Sequence, residues 1–227
     1  CTGVTRGVLG QAVSEGCVTV AALAERTGAS RVCGSCRPLL AHLVGEVSTL
    51  SSISYWKGLL WGSLVSLCLT FFFVLLHPVP FATSVQNGWK WETLWSEGGW
   101  KQCSGYTMLA LAVLGLVLSV RKRWSGFAFG DFTCWRVFHV ITGILVLATL
   151  CAHTGFSVGK NANFLLMSNF LGLVGLGSLA GAITALEPRM ANNLGRRLRL
   201  WWTQGHVLLF WPFLVLLGFH IFSVYYF

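Results

Sequence analysis

The sequence predicts an all-α protein in two parts, a small helical head followed by a five-helix transmembrane bundle. Three observations carry that prediction. The chain of 227 residues is 55% hydrophobic and only 10% charged, too apolar for a soluble domain of its size. Five apolar stretches are long enough, with their flanks, to cross a bilayer. Within two of those stretches lie matched pairs of histidines, His139 with His153 and His206 with His220, each pair separated by 14 residues.

The apolar weight is uneven along the chain. Residues 1–50 carry ordinary polar, glycine and charged content, whereas residues 56–227 hold nearly all the tryptophan and phenylalanine. The expected division is a head over 1–48, a linker over 49–55 and a membrane domain over 56–227. In the head, short helices are expected near 6–14, 19–27 and 37–47. Thr5 and Thr19 are suited to cap the first two, and Gly28 to stop the second. Leu39, Leu40, Leu43 and Val44 form an apolar stripe on the third, the pattern of a core face. Ser48 to Ser54 reads as a serine-rich tether.

Cys33-Gly34-Ser35-Cys36 runs into the third helix, with Pro38 in its first turn. Thiolates there gain from the helix N-terminus and its backbone amides. A C-x-x-C alone serves zinc, disulfide or iron-sulfur chemistry.

The spans are expected at 56–77, 105–120, 136–153, 164–186 and 206–227. Trp56, Trp61, Trp100, Trp124, Trp135, Trp201 and Trp202 cluster toward their ends, where an indole settles among lipid headgroups. The formal charge of +9 follows topology and forms no basic face for nucleic acid. Arg121, Lys122, Arg123 and Arg136 flank the second connection between spans, and Arg189, Arg196, Arg197 and Arg199 the fourth; the opposite loops carry only Lys90, Lys101 and Lys160. The positive-inside rule therefore puts the N-terminal head and both basic loops in the cytoplasm and the C-terminus outside.

Fourteen residues turn a helix through four turns less about 40° and advance it about 21 Å. Both histidines of a pair thus face one way, one near each edge of a hydrocarbon core about 30 Å thick. An imidazole in lipid is costly and normally faces the bundle interior with a partner. A lone helix-end histidine is ordinarily an interfacial or hydrogen-bonded core residue, but four at a repeated spacing point to iron. Spans three and five run in the same direction, so His139 pairs with His206 as ligands of an inner haem b, and His153 with His220 of an outer one. Two axial imidazoles leave no open coordination position, so such haems pass electrons rather than bind substrate. Gly143, Gly218, Gly172, Gly175, Gly177 and Gly181 allow close approach of a macrocycle or of a neighbouring helix. Arg136, three residues before His139, is the candidate for a haem propionate, since guanidinium matches carboxylate in a bidentate way; it equally suits an orientation anchor.

With His139, His153, His206 and His220 so disposed, residues 56–227 resemble the dihaem b-type cytochromes, a group that includes respiratory cytochrome b and the ferric reductase and NADPH oxidase membrane domain. The ligand helices, third and fifth, look most like the ferric reductase arrangement. In the head, Cys1-Thr2-Gly3-Val4-Thr5-Arg6-Gly7, Val18-Thr19-Val20 and Cys33-Gly34-Ser35-Cys36-Arg37-Pro38-Leu39-Leu40 resemble the bacterioferritin-associated ferredoxin-like domain. This helical [2Fe-2S] module also occurs in assimilatory nitrite reductases. That resemblance implies one [2Fe-2S] cluster with Cys1, Cys33 and Cys36 as ligands. The family's first ligand lies two residues before its second, so the fourth ligand is expected upstream of Cys1 and the domain is expected to be N-terminally incomplete. Cys17, in a turn after Gly16, suits the role less well. A zinc or purely structural head is the alternative, and a lipidated Cys1 would put the head outside, against the charge pattern.

Together these parts imply an electron-transfer subunit of a multi-pass protein in a bacterial inner membrane, expected to belong to a larger complex. A cytoplasmic donor domain or protein would feed the cluster, and electrons would leave through the two haems toward quinone or an outer-face acceptor. A second reading is a self-contained quinone or metal reductase acting at the outer haem, with His77 in proton delivery or substrate contact. A third is a non-redox membrane anchor. No nucleophile with base and orienting acid, no phosphate loop and no flavin or nicotinamide fingerprint occurs in these residues, so no catalytic residue is assigned. Glu187 is the most suggestive acid, with a loop role the simpler account.

Overall fold

A computed structural model describes residues 3–31, 36–45, 55–76, 91–123, 132–190 and 194–226. Among the described residues the protein is all-α, with nine α-helices, one short 3-10 turn and no strand. The chain divides into two compact units, residues 1–55 with 116–136, and residues 56–115 with 137–227.

Three helices form the head: α1 (Arg6–Ser14), α2 (Val20–Thr27) and α3 (Arg37–Val44). Thr5 and Thr19 sit in extended backbone, and their hydroxyls accept from the amides of Val8 at 3.4 Å and Ala22 at 3.1 Å. Each satisfies one of the amides that a helix start leaves without a carbonyl. Gly28 takes φ 71° and ends α2. Gly45, at φ 68°, ends α3 before the expected residue 47, because a left-handed residue cannot continue the helix. Leu23 and Leu40 are fully buried at the centre of the head, joined by Leu9, Ala12, Val20 and Ala41. Leu43 and Val44 pack against this core, but Leu39 is 59% exposed and leaves the expected stripe. Glu15 and Arg26 form an ion pair on the head's surface. The proposed tether at Ser48 to Ser54 lies outside the described residues.

Five helices are long and apolar enough to cross a membrane: α4 (Trp56–Leu75), α6 (Gly98–Arg123), α7 (Phe132–Thr154), α8 (Ala162–Leu186) and α9 (Leu194–Tyr226). Four of the five, α6 to α9, begin before the apolar stretches that signal them, whereas α4 starts at the expected residue 56 and ends at Leu75, two residues short of 77. Backbone hydrogen bonds continue through polar turns that hydrophobicity does not register, so α6 begins seven residues before the expected 105. The 33 residues of α9 span about 50 Å, more than the hydrocarbon core requires, so its first turns, with Arg196, Arg197 and Arg199, extend past the apolar stretch. Pro212 lies within α9. It has no amide to offer the carbonyl of Leu208, which marks the place where this helix is free to bend.

A short helix, α5 (Thr93–Ser96), falls in a segment expected as loop. Its Trp95 ring packs against Gly155, just past α7, where φ is +56° and a Cβ would stand 2.7 Å from the indole. Only glycine fits both the backbone and the contact.

α8 is central to the bundle and packs against both α4 and α9. Small residues allow it. Gly181 faces Ser63 of α4, Ser178 Oγ lies 2.9 Å from Ser66 Oγ, and a Cβ at Gly172 would meet Leu209 of α9 at 3.1 Å. Gly172 and Gly181 are thus helix-packing residues. Phe73, Leu147, Leu150, Met167 and Leu171 join α4, α7 and α8 in a buried apolar cluster. Elsewhere large apolar side chains face outward, Val215 at 73% exposure among them, as expected of helices whose solvent is lipid.

Candidate functional site

The four paired histidines come together in two tiers between α7 and α9. In the first, the rings of His139 and His206 stand with centroids 6.2 Å apart and planes at 90°. His139 Nδ1 lies 3.0 Å from the carbonyl oxygen of Gly115 on α6, and His206 Nδ1 lies 2.8 Å from that of Leu173 on α8. A carbonyl only accepts, so in both rings Nδ1 carries the proton and donates it. Nε2 is then the nitrogen with the lone pair, the form in which imidazole ligates a metal.

Spacing suits that chemistry as well. Metal–imidazole bonds of about 2.0–2.1 Å on opposite sides of one ion set the ring centroids about 6 Å apart. Gly177 makes the seat for His206, because a Cβ there would stand 2.8 Å from Nδ1. Gly115 leaves ordinary contact distance to His139. A Cβ at Gly143, one turn beyond His139, or at Gly175 would meet nothing within 4 Å. Open space of this kind is what a flat ligand beside the imidazoles requires.

The second tier repeats the arrangement with side chains in place of backbone. His153 Nδ1 lies 2.9 Å from Ser104 Oγ on α6, and His220 Nδ1 lies 2.9 Å from Asn163 Oδ1 on α8. Ser104 donates its own proton to the carbonyl of Lys101 at 3.0 Å. Its hydroxyl can then accept from His153, and the amide oxygen of Asn163 only accepts from His220. Nδ1 is thus the protonated nitrogen of His139, His206 and His220, and Ser104 accommodates the same tautomer at His153. His153 and His220 are near enough to interact electrostatically.

Alternation of roles along the chain is clear. The third and fifth spanning helices supply the imidazoles, while the second and fourth supply the oxygens that orient them. Of those orienting groups, the carbonyls of Gly115 and Leu173 leave no trace in a sequence. Ser104 and Asn163 were legible only as polar residues at the ends of apolar stretches, a weak signal by itself.

Charged residues predicted for the site have local partners. Arg136 is half-buried on α7 with its guanidinium 4.7 Å from the Phe132 ring, and the buried Arg121 lies 5.5 Å from the same ring. Glu187 opens the 3-10 turn after α8 and pairs with Arg199 at 2.7 Å, so its carboxylate is engaged in holding α9. Arg189 stacks on Trp56 at 3.7 Å. His77 lies outside the described residues.

In the head, Cys36 is exposed at the N-cap of α3 and its carbonyl accepts from Leu40 at 3.0 Å. Cys1 and Cys33 lie outside the described residues. Cys17 is buried in the apolar core with Leu9 and Leu23, which withdraws its sulfur from the surface. Among the described residues no cluster of three or more histidine, cysteine or acidic side chains gathers.

Residues 1–46 match the family model of the BFD-like [2Fe-2S] binding domain. This supports one iron-sulfur cluster and an electron-transfer role for that part of the chain. No curated protein and no solved structure matches the chain.

Proposed function

We propose that this chain is a transmembrane electron-transfer subunit in which a [2Fe-2S] cluster in the head and two bis-histidine b haems in the bundle form a series of one-electron centres. The observation that carries this reading is the common setting of the four imidazoles. Nδ1 of His139, His206 and His220 donates to an oxygen on a neighbouring helix and Nδ1 of His153 lies 2.9 Å from the Ser104 hydroxyl, an arrangement that leaves Nε2 to ligate. When bound, haem iron with two axial imidazoles accepts and gives up single electrons without taking substrate on the metal.

The chain's own residues do the rest. α7 and α9 present the ligands, His139 with His206 and His153 with His220. α6 and α8 hold the protons that fix ring orientation, and Gly143 and Gly175 keep space clear. Arg136 offers counter-charge to a propionate. Cys1, Cys33 and Cys36, with a fourth ligand, would hold the cluster. The basic connections orient the head toward the cytoplasm of a bacterial inner membrane, where a donor protein or domain reduces it. Quinone or an outer-face acceptor takes the electrons at the far tier, and the chain works within a larger complex.

A pyridine haemochrome assay on the purified chain tests the haems, and about two b haems per chain are expected. Their absence would sink the reading. A [2Fe-2S] electron paramagnetic resonance signal from the reduced protein tests the cluster, and a silent spectrum would remove the cytoplasmic end of the series.

A further inference from the structure

The two tiers differ in the atoms behind the imidazoles. The first uses backbone carbonyls, which no side-chain substitution removes; the second uses Ser104 and Asn163, which substitution can replace. We propose that Ser104 and Asn163 are positioning residues that set the electron-donating strength of His153 and His220, and so tune the second tier independently of the first. This rests on the haem reading given above. A stronger acceptor at Nδ1 makes Nε2 a better donor to its metal, and a better donor favours the oxidised ion and lowers its reduction potential.

The four acceptors are unequal. Gly115, Leu173 and Asn163 offer amide oxygens, whereas Ser104 offers a hydroxyl, a weaker acceptor strengthened in part because its own proton is held by the Lys101 carbonyl. Lys101 also acts on His153, through its backbone carbonyl and through its charge; the carbonyl favours the oxidised ion and the cation the reduced one.

Redox titration of the full-length chain in detergent, followed by haem absorbance and low-spin electron paramagnetic resonance, tests this. Ser104→Ala and Asn163→Leu remove an acceptor and should raise the second-tier potential. They should also weaken haem retention there by about 10–100-fold. Ser104→Asp and Asn163→Asp install a stronger acceptor and should lower that potential. The first tier should stay in place in all four. Neutral and acidic replacements that shift the second tier with the same sign, or a shift or loss common to both tiers, would overturn the proposal while leaving the haem reading intact. A wild-type chain without haem would overturn both.

Discussion

The head and the bundle differ in what they expose and in how many polar side chains they bury. In the head, Leu23 and Leu40 are sealed inside while Glu15 and Arg26 pair on the surface. In the bundle, Phe71, Leu208 and Val215 point outward, while Ser63, Ser66, Thr70 and Ser178 are buried, and His139 and His206 are partly so. Water drives the first arrangement; in lipid, apolar side chains gain little by meeting each other, and polar contacts and close packing decide which faces meet. Hydrophobicity thus marks the core of the head, whereas in the bundle it marks buried Phe73 and outward Val215 alike.

The largest expected effect is at the ligands. His139→Ala or His206→Ala should empty the first tier and halve the haemochrome absorbance, and His153→Ala or His220→Ala should empty the second while reduction of the cluster persists. Circular dichroism should report unchanged helix in each, since the bundle is also packed by Phe73, Leu147, Leu150, Met167 and Leu171. If one substitution removes no haem, the pairing of α7 with α9 is wrong.

Core truncation separates the two units next. Leu23→Ala should destabilise the head by about 2–5 kcal/mol, read as earlier loss of the cluster's visible absorbance in denaturant. Val215→Ala, on an outward face of α9, should change stability by no more than about 0.5 kcal/mol. Equal effects would mean that Val215 meets a protein surface rather than lipid.

This difference also explains what the sequence revealed. The fold class, the existence of all five spans, both threonine caps and Gly28 follow from local rules: apolar length, a hydroxyl before a helix, a residue free to take positive φ. The closeness of His139 to His206 followed from helix geometry and topology together, because a 14-residue interval sets face and depth within a helix and the parallel direction of spans three and five matches the ends. Gly115 and Leu173 stayed hidden because their carbonyls act, and every residue has one. Leu39 went astray because an eight-residue helix has too few turns to define its buried face. Gly177 and Gly181 looked alike in sequence, and only their neighbours, His206 and Ser63, tell them apart.

Those glycines give the next test. Gly177→Ala places a methyl 2.8 Å from His206 Nδ1, and displacing the ring should cost about 1–3 kcal/mol and alter the first-tier haem spectrum. Gly143→Ala, inside α7, meets no protein atom within 4 Å and should leave the haem-free chain as stable or up to about 1 kcal/mol more so. Any loss of haem it causes would then report on a macrocycle lying against that face of α7.

Smallest are the caps of the head. Thr19→Ala removes the acceptor for the Ala22 amide and should cost about 1 kcal/mol. Thr5→Ala should cost less, because its bond to the Val8 amide is 3.4 Å against 3.1 Å and hydrogen bonds weaken with length. Serine at either position keeps an oxygen within reach and should restore most of the loss, whereas valine, equal in shape to threonine, should not. Denaturant midpoints of the full-length chain, followed through the cluster's absorbance, resolve the ordering. No cost at Thr5 would mean that α1 is held by its packing in the head's core rather than by the start of its own backbone, and equal costs at Thr5 and Thr19 would mean that the difference in bond length does not matter.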